Sequence, residues 1–431
     1  MKTSGSSSQE TSGSATTAPH GPSGQLKTHE KTVLPFYPQP EASNPQCFDP
    51  ETTGESAHPP SVSVVIPCLN ESGTIADAVA EARAAFANCL GGAEVVVADN
   101  GSTDGSAELA KAVGARVIMV AERGYGAALQ AGFSAARTPY IVYADADLTY
   151  DFHEGTRLVA ALHEHDADLV VGTRIQGNIE PGAMPALHRR LGTPVLTAMI
   201  NLFFGGRLTD CNSGFRAFRR DKLPVWQPSS SGMEFASELL INALRAGAKI
   251  IEVPITLRSD RRDRAPHLQT WRDGMRHFLT ILARAPWLFL NGGLATVGLS
   301  LALAILCALG PRLLLGRFGL FDYHTLIFAA ILGFLGAQIA GTGLVLQLRQ
   351  PPPYGRLAER LIHLNEGVLF WMLTGIGLTV VSGLGFVVWS WARHGFANIA
   401  YLKFTLFLLY AATVTGSLAI SLFHVHLMKR A

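Results

Sequence analysis

Residues 140–150 read YIVYADADLTY. An apolar run from Tyr140 to Ala144 ends in two aspartates, Asp145 and Asp147, one residue apart. The run does not alternate with polar residues, which is the pattern of a strand covered on both faces. In an extended chain residues i and i+2 point to the same side, so both carboxylates are expected to face one point at the strand's carboxyl end. Two unpaired carboxylates that close repel, and one pKa rises. A divalent cation removes that cost, and hard oxygen ligands favour Mg²⁺ or Mn²⁺. The plainer alternative is an Asp-rich turn with helix N-capping, for which DLTYDFHE (147–154) has the material.

The same strand pattern recurs on either side. SVSVVIP (61–67), AEVVVAD (93–99), ARVIMV (115–120) and ADLVVGT (167–173) are nearly continuous in apolar residues. TIADAVAEARAAFANCL, SAELAKAV and GAALQAGFSAA lie between strands with helical periodicity. Strand and helix alternate, which predicts an α/β domain with a parallel sheet and ligands at the carboxyl ends of its strands. Those ends hold Pro67, Leu69 and Glu71 after the first strand, then Asp99, Asn100 and Ser102 after the second. Gly124 and Gly126 follow the third strand in GYGAALQAG, and Asp145 and Asp147 follow the fourth. The GYG segment follows the wrong strand for a dinucleotide fingerprint. It is expected to let backbone approach a nucleotide or to start a helix.

A formal charge of +2 over 431 residues gives no reason to expect a nucleic-acid partner. The five cysteines (Cys47, Cys68, Cys89, Cys211 and Cys307) lack metal-ligand spacing and read as reduced packing residues. Residues 1–60 are rich in Ser, Thr, Gly and Pro, without the apolar core of a signal peptide, and are expected to form a disordered tail. After Pro286 four apolar stretches follow, at 287–309, 325–348, 367–391 and 404–427. Each is long enough to cross ~30 Å of hydrocarbon as a helix. Arginines before the first stretch, Arg349, Arg356 and Arg360 between the second and third, and the terminal Lys429 and Arg430 outnumber the basic residues of the other two loops. That bias predicts a cytoplasmic N-terminal domain and both termini inside.

SVVIPCLNES, VVVADNGSTDGS, GYGAALQAGF, DADLTY, GTRIQG and DCNSGFRAFRRD together resemble family 2 glycosyltransferases of the GT-A fold. More narrowly they are similar to polyprenyl-phosphate glycosyltransferases, the dolichol-phosphate mannose and glucose synthases, and the four-span end resembles a bacterial, GtrB-like branch. The resemblance spans about residues 61–265. It implies a tail (1–60), a Rossmann-like GT-A domain (61–257), a juxtamembrane amphipathic interfacial segment (258–286) and an all-α four-helix transmembrane domain (287–431). It implies a nucleotide sugar of the UDP-glucose or GDP-mannose type, a polyprenyl phosphate acceptor, and a multi-pass protein of the bacterial inner membrane. A homo-oligomer through the membrane helices is compatible with it.

Carried over residue by residue, the resemblance puts the nucleotide on Pro67, Leu69, Glu71 and Asp99, with Asn100 and Ser102 beside them. Asp145 and Asp147 would hold the cation on the diphosphate. Many relatives have Gln two residues after the second aspartate as a further metal-facing ligand; here that position is Thr149. Asp210 would lie near the sugar as base or sugar ligand, and Arg174, Arg189 and Arg216 would face phosphates. In LRSDRRDRAPHLQTWRDGMRHF (257–278) six Arg stand against three Asp beside Trp271 and Phe278. This reads as an interfacial element whose Arg258, Arg261, Arg262 and Arg264 meet the lipid phosphate or anionic headgroups.

A transferase to diacylglycerol or another hydroxyl acceptor would need a real base, for which Asp210 or Glu234 could serve, and two other classes bear on the same residues. A processive polysaccharide synthase is expected to carry Q-x-x-R-W before its channel, but after Gln269 and Arg272 the position of the Trp holds Asp273. A non-catalytic flippase or scaffold is disfavoured by the intact D-x-D and by the near absence of charge within the spans.

Overall fold

The computed structural model describes residues 61–89, 92–261, 270–309, 323–350, 356–393 and 402–430. The tail of residues 1–60, with Cys47, lies outside the described residues, as do Arg262 and Arg264.

Among the described residues seven strands form one sheet: β1 (Val62–Cys68), β2 (Ala93–Asp99), β3 (Arg116–Met119), β4 (Tyr140–Tyr143), β5 (Leu169–Ile179), β6 (Arg216–Arg219) and β7 (Ile250–Leu257). Their order is β3-β2-β1-β4-β6-β5-β7. Five were expected; β6 and β7 are additional. The sheet is not wholly parallel, because β6 runs antiparallel between β4 and β5. Its RAFR follows the SGF turn, and its four residues are too short a run to stand out from sequence periodicity.

Helices cover both faces. α1 (Ile75–Ala85), α2 (Ser106–Ala112) and α4 (Gly155–Glu164) pack on one side. α3 (Tyr125–Ala135), α5 (Thr193–Phe204), α7 (Phe235–Arg245) and α8 (Thr270–Ala283) pack on the other, with the short α6 (Leu223–Trp226) beside them. β1 shows why its sequence does not alternate: Val62, Val64 and Ile66 enter one core while Val65 enters the other. Burying an aliphatic side chain of this size contributes about 1.5–3 kcal/mol, so both faces of the strand favour apolar residues.

The C-terminal region comprises α9 (Pro286–Leu309), α10 (Tyr323–Leu348), the short α11 (Arg356–Ile362), α12 (Glu366–Arg393) and α13 (Leu402–Arg430). Four of these are long and apolar enough to cross a membrane, which marks a membrane protein. α9 and α10 pack along their length, and α13 lies against α10. Hydrogen bonds between Ser300 and Tyr410 (3.0 Å) and from Gln338 to Ser417 (2.5 Å) join the helices. Polar side chains in hydrocarbon need such partners.

Candidate active site

Parallel pairing sets Cys68 of β1 opposite Asp99 of β2, so both strands end at one level. Asp99 is fully buried. Its Oδ2 accepts the amides of Gly101 (3.1 Å) and Ser102 (3.0 Å), whereas its buried Oδ1 has no hydrogen-bond partner among the described residues. The Ser102 hydroxyl accepts the Asn70 amide at 2.8 Å, and Asn70 Oδ1 accepts the Thr103 amide at 2.8 Å. Asn70 itself is left-handed, with φ 55°. Buried Glu71 is placed by its amide bond to the Ser106 hydroxyl, 2.8 Å. Asn100 donates to the Glu122 carbonyl (2.6 Å) and accepts the Gly124 amide (2.7 Å), tying the third strand's exit to the second. Pro67, Glu71, Asp99, Asn100 and Ser102 thus meet at one corner, with Leu69 between Cys68 and Asn70.

Gly124 and Gly126 start a helix, one of the two roles expected of them: Gly124 caps α3 and Gly126 lies in its first turn. A Cβ on Gly124 would sit 2.1 Å from the Ser231 carbonyl, and one on Gly126 2.2 Å from the Ser230 carbonyl. These glycines let α3 begin flush against the 230–232 loop, and Ala127 donates to the Ser231 carbonyl at 3.2 Å. Glu238 holds that loop from below, accepting the Ser229 and Ser230 amides.

β4 ends at Tyr143, and Ala146 and Asp147 lie in a turn. The period-two argument therefore does not place the aspartates; the turn does. Leu148 is left-handed at φ 60°, an uncommon state for a non-glycine residue, held by burial of its side chain in the core. The turn returns Thr149 to Asp147, whose Oδ1 accepts both the Thr149 amide (3.1 Å) and hydroxyl (2.6 Å). Thr149 thus orients the Asp147 carboxylate, where a metal-ligand role was expected. The capping part of the alternative reading belongs to Asp151, which accepts the His153 amide at the start of a short 3₁₀ turn.

Asp145 accepts the Tyr125 hydroxyl at 2.9 Å. Burial, and after it the Asp145 charge, push that phenol well above its ordinary range, so it stays a donor. A Cβ on Gly214 would fall 2.7 Å from Asp145 Oδ2, so the SGF glycine is where the D-x-D carboxylate meets another backbone. The Gly214 amide donates to the Tyr150 hydroxyl (2.9 Å). Burial pushes Tyr150 up to about 12, with Arg174, Asp145 and Asp210 all close enough to act on it. Tyr125 and Tyr150 were missed. An aromatic directly inside each motif (GYG and DLTY) was the available signal.

Arg174 and Asp210 form a bidentate pair, Nε to Oδ2 at 2.7 Å and Nη2 to Oδ1 at 2.8 Å. Asp210 Oδ2 also accepts the Arg174 amide, and Oδ1 the Asn212 amide. Burial alone would raise this carboxyl, but Arg174's charge and hydrogen bonds outweigh it and hold Asp210 below the usual aspartate range. A carboxylate so stabilised is a poor base, so Asp210 fits the positioning of Arg174 better than proton abstraction.

The other arginines divide. Arg216 is fully buried and donates to the carbonyls of Ser213 (2.9 Å), Ala236 (2.8 Å) and Cys211 (2.8 Å). Its guanidinium is committed to main chain, so the phosphate-facing expectation fails there. Arg258 also departs from expectation: it pairs with Glu81 (3.1 Å) and Asp151 (2.5 Å), and its amide donates to the Thr149 carbonyl at 2.8 Å. It braces the turn after the D-x-D from outside. Glu81, Asp151 and His153 cluster closely enough to suggest a cation, but Arg258 already supplies the positive charge. Arg189 and Arg261 are exposed.

Asp145, Asp147 and Asp99 bring hard carboxylate oxygens to one sheet edge, a chemistry suited to a cation and a nucleotide. The profile of Glycosyl transferase family 2 matches residues 63–225. The chain is 35% identical over 345 residues to the low-salt glycan biosynthesis hexosyltransferase Agl6 of Haloferax volcanii, covering 79% of this chain and 82% of that one. A dolichyl-phosphate hexose transferase of the same organism is 35% identical over 169 residues, 39% of this chain and 71% of its own. Among solved structures, glucosyl-3-phosphoglycerate synthase from Mycobacterium tuberculosis with Mn²⁺, UDP and glucosyl-3-phosphoglycerate aligns at TM-score 0.44 and 26% identity, over 52% of this chain and 80% of that one. The ordered motifs at the sheet edge, the family profile and the match along most of the hexosyltransferase place this chain among the family 2 glycosyltransferases.

Proposed function

We propose that this glycosyltransferase moves a hexose from a nucleoside diphosphate sugar to a polyprenyl phosphate, inverting the anomeric centre. The observation that carries this reading is the attachment of the site's domain to the spans. β7 ends at Leu257, α8 follows, and α9 begins three residues after Ala283. Arg284, after α8, pairs with buried Glu238, which also holds the 229–230 loop. Gln350, after α10, accepts from Arg245 and donates to the Ala283 carbonyl (2.9 Å). The relative that is a dolichyl-phosphate hexose transferase supports the acceptor class.

In this reading residues 61–257 form the transferase domain, 258–286 the interfacial segment and 287–431 the membrane domain. Arg245 and Gln350 then put the Arg349-containing loop on the transferase side, consistent with a cytoplasmic domain. Pro67, Leu69, Glu71, Asp99, Asn100 and Ser102 bind the nucleoside, with the orphan Asp99 Oδ1 accepting a base N–H. Asp145 and Asp147 hold Mg²⁺ or Mn²⁺, which when bound neutralises the diphosphate. The close Gly214 backbone and the Thr149 bonds orient these carboxylates toward such a donor set. The acceptor's phosphate monoester, with a second pKa near 6, is already anionic at pH 7, so the site needs no strong base. Its oxygen bonds to the anomeric carbon as the carbon–oxygen bond to the diphosphate breaks, and the diphosphate leaves with the electron pair. Arg174, kept charged and oriented by Asp210, stabilises phosphate charge near the sugar.

Side-by-side turnover on undecaprenyl or dolichyl phosphate, the free prenol and diacylglycerol tests the acceptor. Transfer to the phosphates alone is expected. Equal transfer to a hydroxyl acceptor contradicts the reading.

A further inference from the structure

Helix α5 is the tail of a longer helical run, 186–204, which passes through a π-turn at His188–Gly192. Its buried side is Thr193, Leu196, Thr197, Ile200 and Phe204. Its outward side is unusual. From residue 191 onward every exposed position is apolar: Leu191, Pro194, Val195, Ala198 and Leu202. Leu202 is 77% exposed and Leu191 55%. Leu187 (42%) extends the stripe by one turn, and the charged Arg189 and Arg190 sit at its start. A helix facing water carries polar residues on its outer face; a contiguous apolar face marks a surface that another phase covers.

Continuity with the spans identifies that phase. The Phe203 ring meets Trp287 edge-on, with centroids 6.1 Å apart, and Trp287 is the second residue of the first span. α8 packs beside α5 and shows the same inversion. Asp273, His277 and Ile281 turn inward, while Trp271 (80% exposed), Met275, Phe278 and Leu279 turn outward, with Arg272 and Arg276 beside them. Two adjacent helices at the root of a membrane span therefore both present apolar faces.

We propose that the 187–204 helix is a second membrane-seated element, lying beside α8 with its Leu187–Leu202 stripe in the lipid interface and Arg189 and Arg190 at the headgroups. The opposite side of the same helix holds the site. The Thr197 hydroxyl accepts the Cys211 amide (3.2 Å), and the Thr193 hydroxyl accepts from Asn212 Nδ2 (3.4 Å), Cys211 and Asn212 being the two residues that directly follow Asp210. One helix diameter, about 10 Å, then separates the lipid surface from the Asp210 loop. An acceptor phosphate anchored by its own lipid tail would have that distance to cover. The proposal rests on the membrane reading of the spans, and the test separates the two.

Spin labels at Leu191→Cys and Leu202→Cys, in the full chain carrying Cys47→Ser and reconstituted in lipid nanodiscs, report depth through collisions with oxygen and with a water-soluble nickel chelate. Lys111→Cys serves as the aqueous control and Leu299→Cys as the span control, and a melting curve confirms that each variant is folded. Both stripe labels are expected to favour oxygen over nickel, at a depth of about 5–10 Å into the headgroup–acyl boundary. Nickel accessibility equal to that of Lys111→Cys overturns the proposal, as does exclusion of both reagents, which signals a protein partner on this face. An aqueous Leu299→Cys label instead overturns the membrane reading itself.

Discussion

Thr149 gives both of its donors to one oxygen of Asp147, the amide at 3.1 Å and the hydroxyl at 2.6 Å. The left-handed Leu148 between them makes that return possible. The D-x-D is therefore a turn whose second carboxylate is oriented from within the motif. A hydrogen bond to a charged group contributes about 1.5–3 kcal/mol, enough to set the direction of a carboxylate.

Thr149→Val keeps the amide bond and removes the hydroxyl bond. The Mg²⁺ or Mn²⁺ concentration for half-maximal activity is expected to rise roughly tenfold, the equivalent of about 1.4 kcal/mol, with the melting temperature little changed. Titration of the cation against initial rate checks this. Thr149→Ser should restore most of the affinity.

Asp99→Asn tests the nucleotide corner. The amide oxygen can still accept from Gly101 and Ser102, but the orphan Oδ1 becomes an NH₂ facing a base N–H. Donor against donor leaves a buried group unpaired, a cost of about 1–3 kcal/mol. Calorimetric titration with the nucleoside diphosphate should show a five- to hundredfold weaker Kd, to order of magnitude.

The Arg174–Asp210 pair makes a prediction about stability. Asp210→Asn leaves an uncompensated cation with side-chain exposure of only 12%, and breaking buried pairs of this kind costs about 3–5 kcal/mol. The pH sign follows from the lowered Asp210 pKa. The carboxylate's contribution is fully present above its unfolded pKa, about 3.9, and is lost as pH falls through the lower folded value. Denaturant midpoints of the wild type should therefore fall below pH 4 through this group, and those of Asp210→Asn should show a smaller drop.

Arg258→Met tests the outer brace. It leaves Glu81 and Asp151 without their shared cation and keeps the Arg258 amide bond to Thr149. A destabilisation of about 1–3 kcal/mol is expected, with a raised cation requirement as the 149–152 turn loosens. A normal cation requirement would confine Arg258 to a packing role.

The apolar runs and ordered motifs let a reader place β1 to β5, the site at the carboxyl edge and the four spans, because burial on both faces and membrane thickness write long-range constraints into local composition. What stayed hidden depended on tertiary contacts. RAFR is too short to announce β6, and its antiparallel insertion depends on the SGF turn meeting Asp145. Arg216 carries the same charge as Arg174, yet one binds three buried carbonyls and the other a carboxylate. Nothing local in SGFR or GTR distinguishes them. Gly124 and Gly126 were readable as a helix start, but not the reason α3 needs them, which is the 230–232 loop packed against both. The outward stripe of α5 was readable as TPVLTAMINLFF, yet only its orientation against the sheet shows that its apolar side is not all core.

The proposed reaction joins a sugar to a lipid through the lipid's own phosphate. Mass spectrometry of organic-phase products tests it most directly, using purified protein, Mg²⁺ or Mn²⁺, a panel of UDP- and GDP-hexoses and undecaprenyl or dolichyl phosphate. The expected product is a polyprenyl-phosphate-hexose with at least one donor, its anomeric configuration opposite to the donor's, and none from Asp147→Asn. Consumption of nucleotide sugar into a polymer or a hydroxyl-linked glycolipid, with the polyprenyl phosphate unchanged, would contradict it.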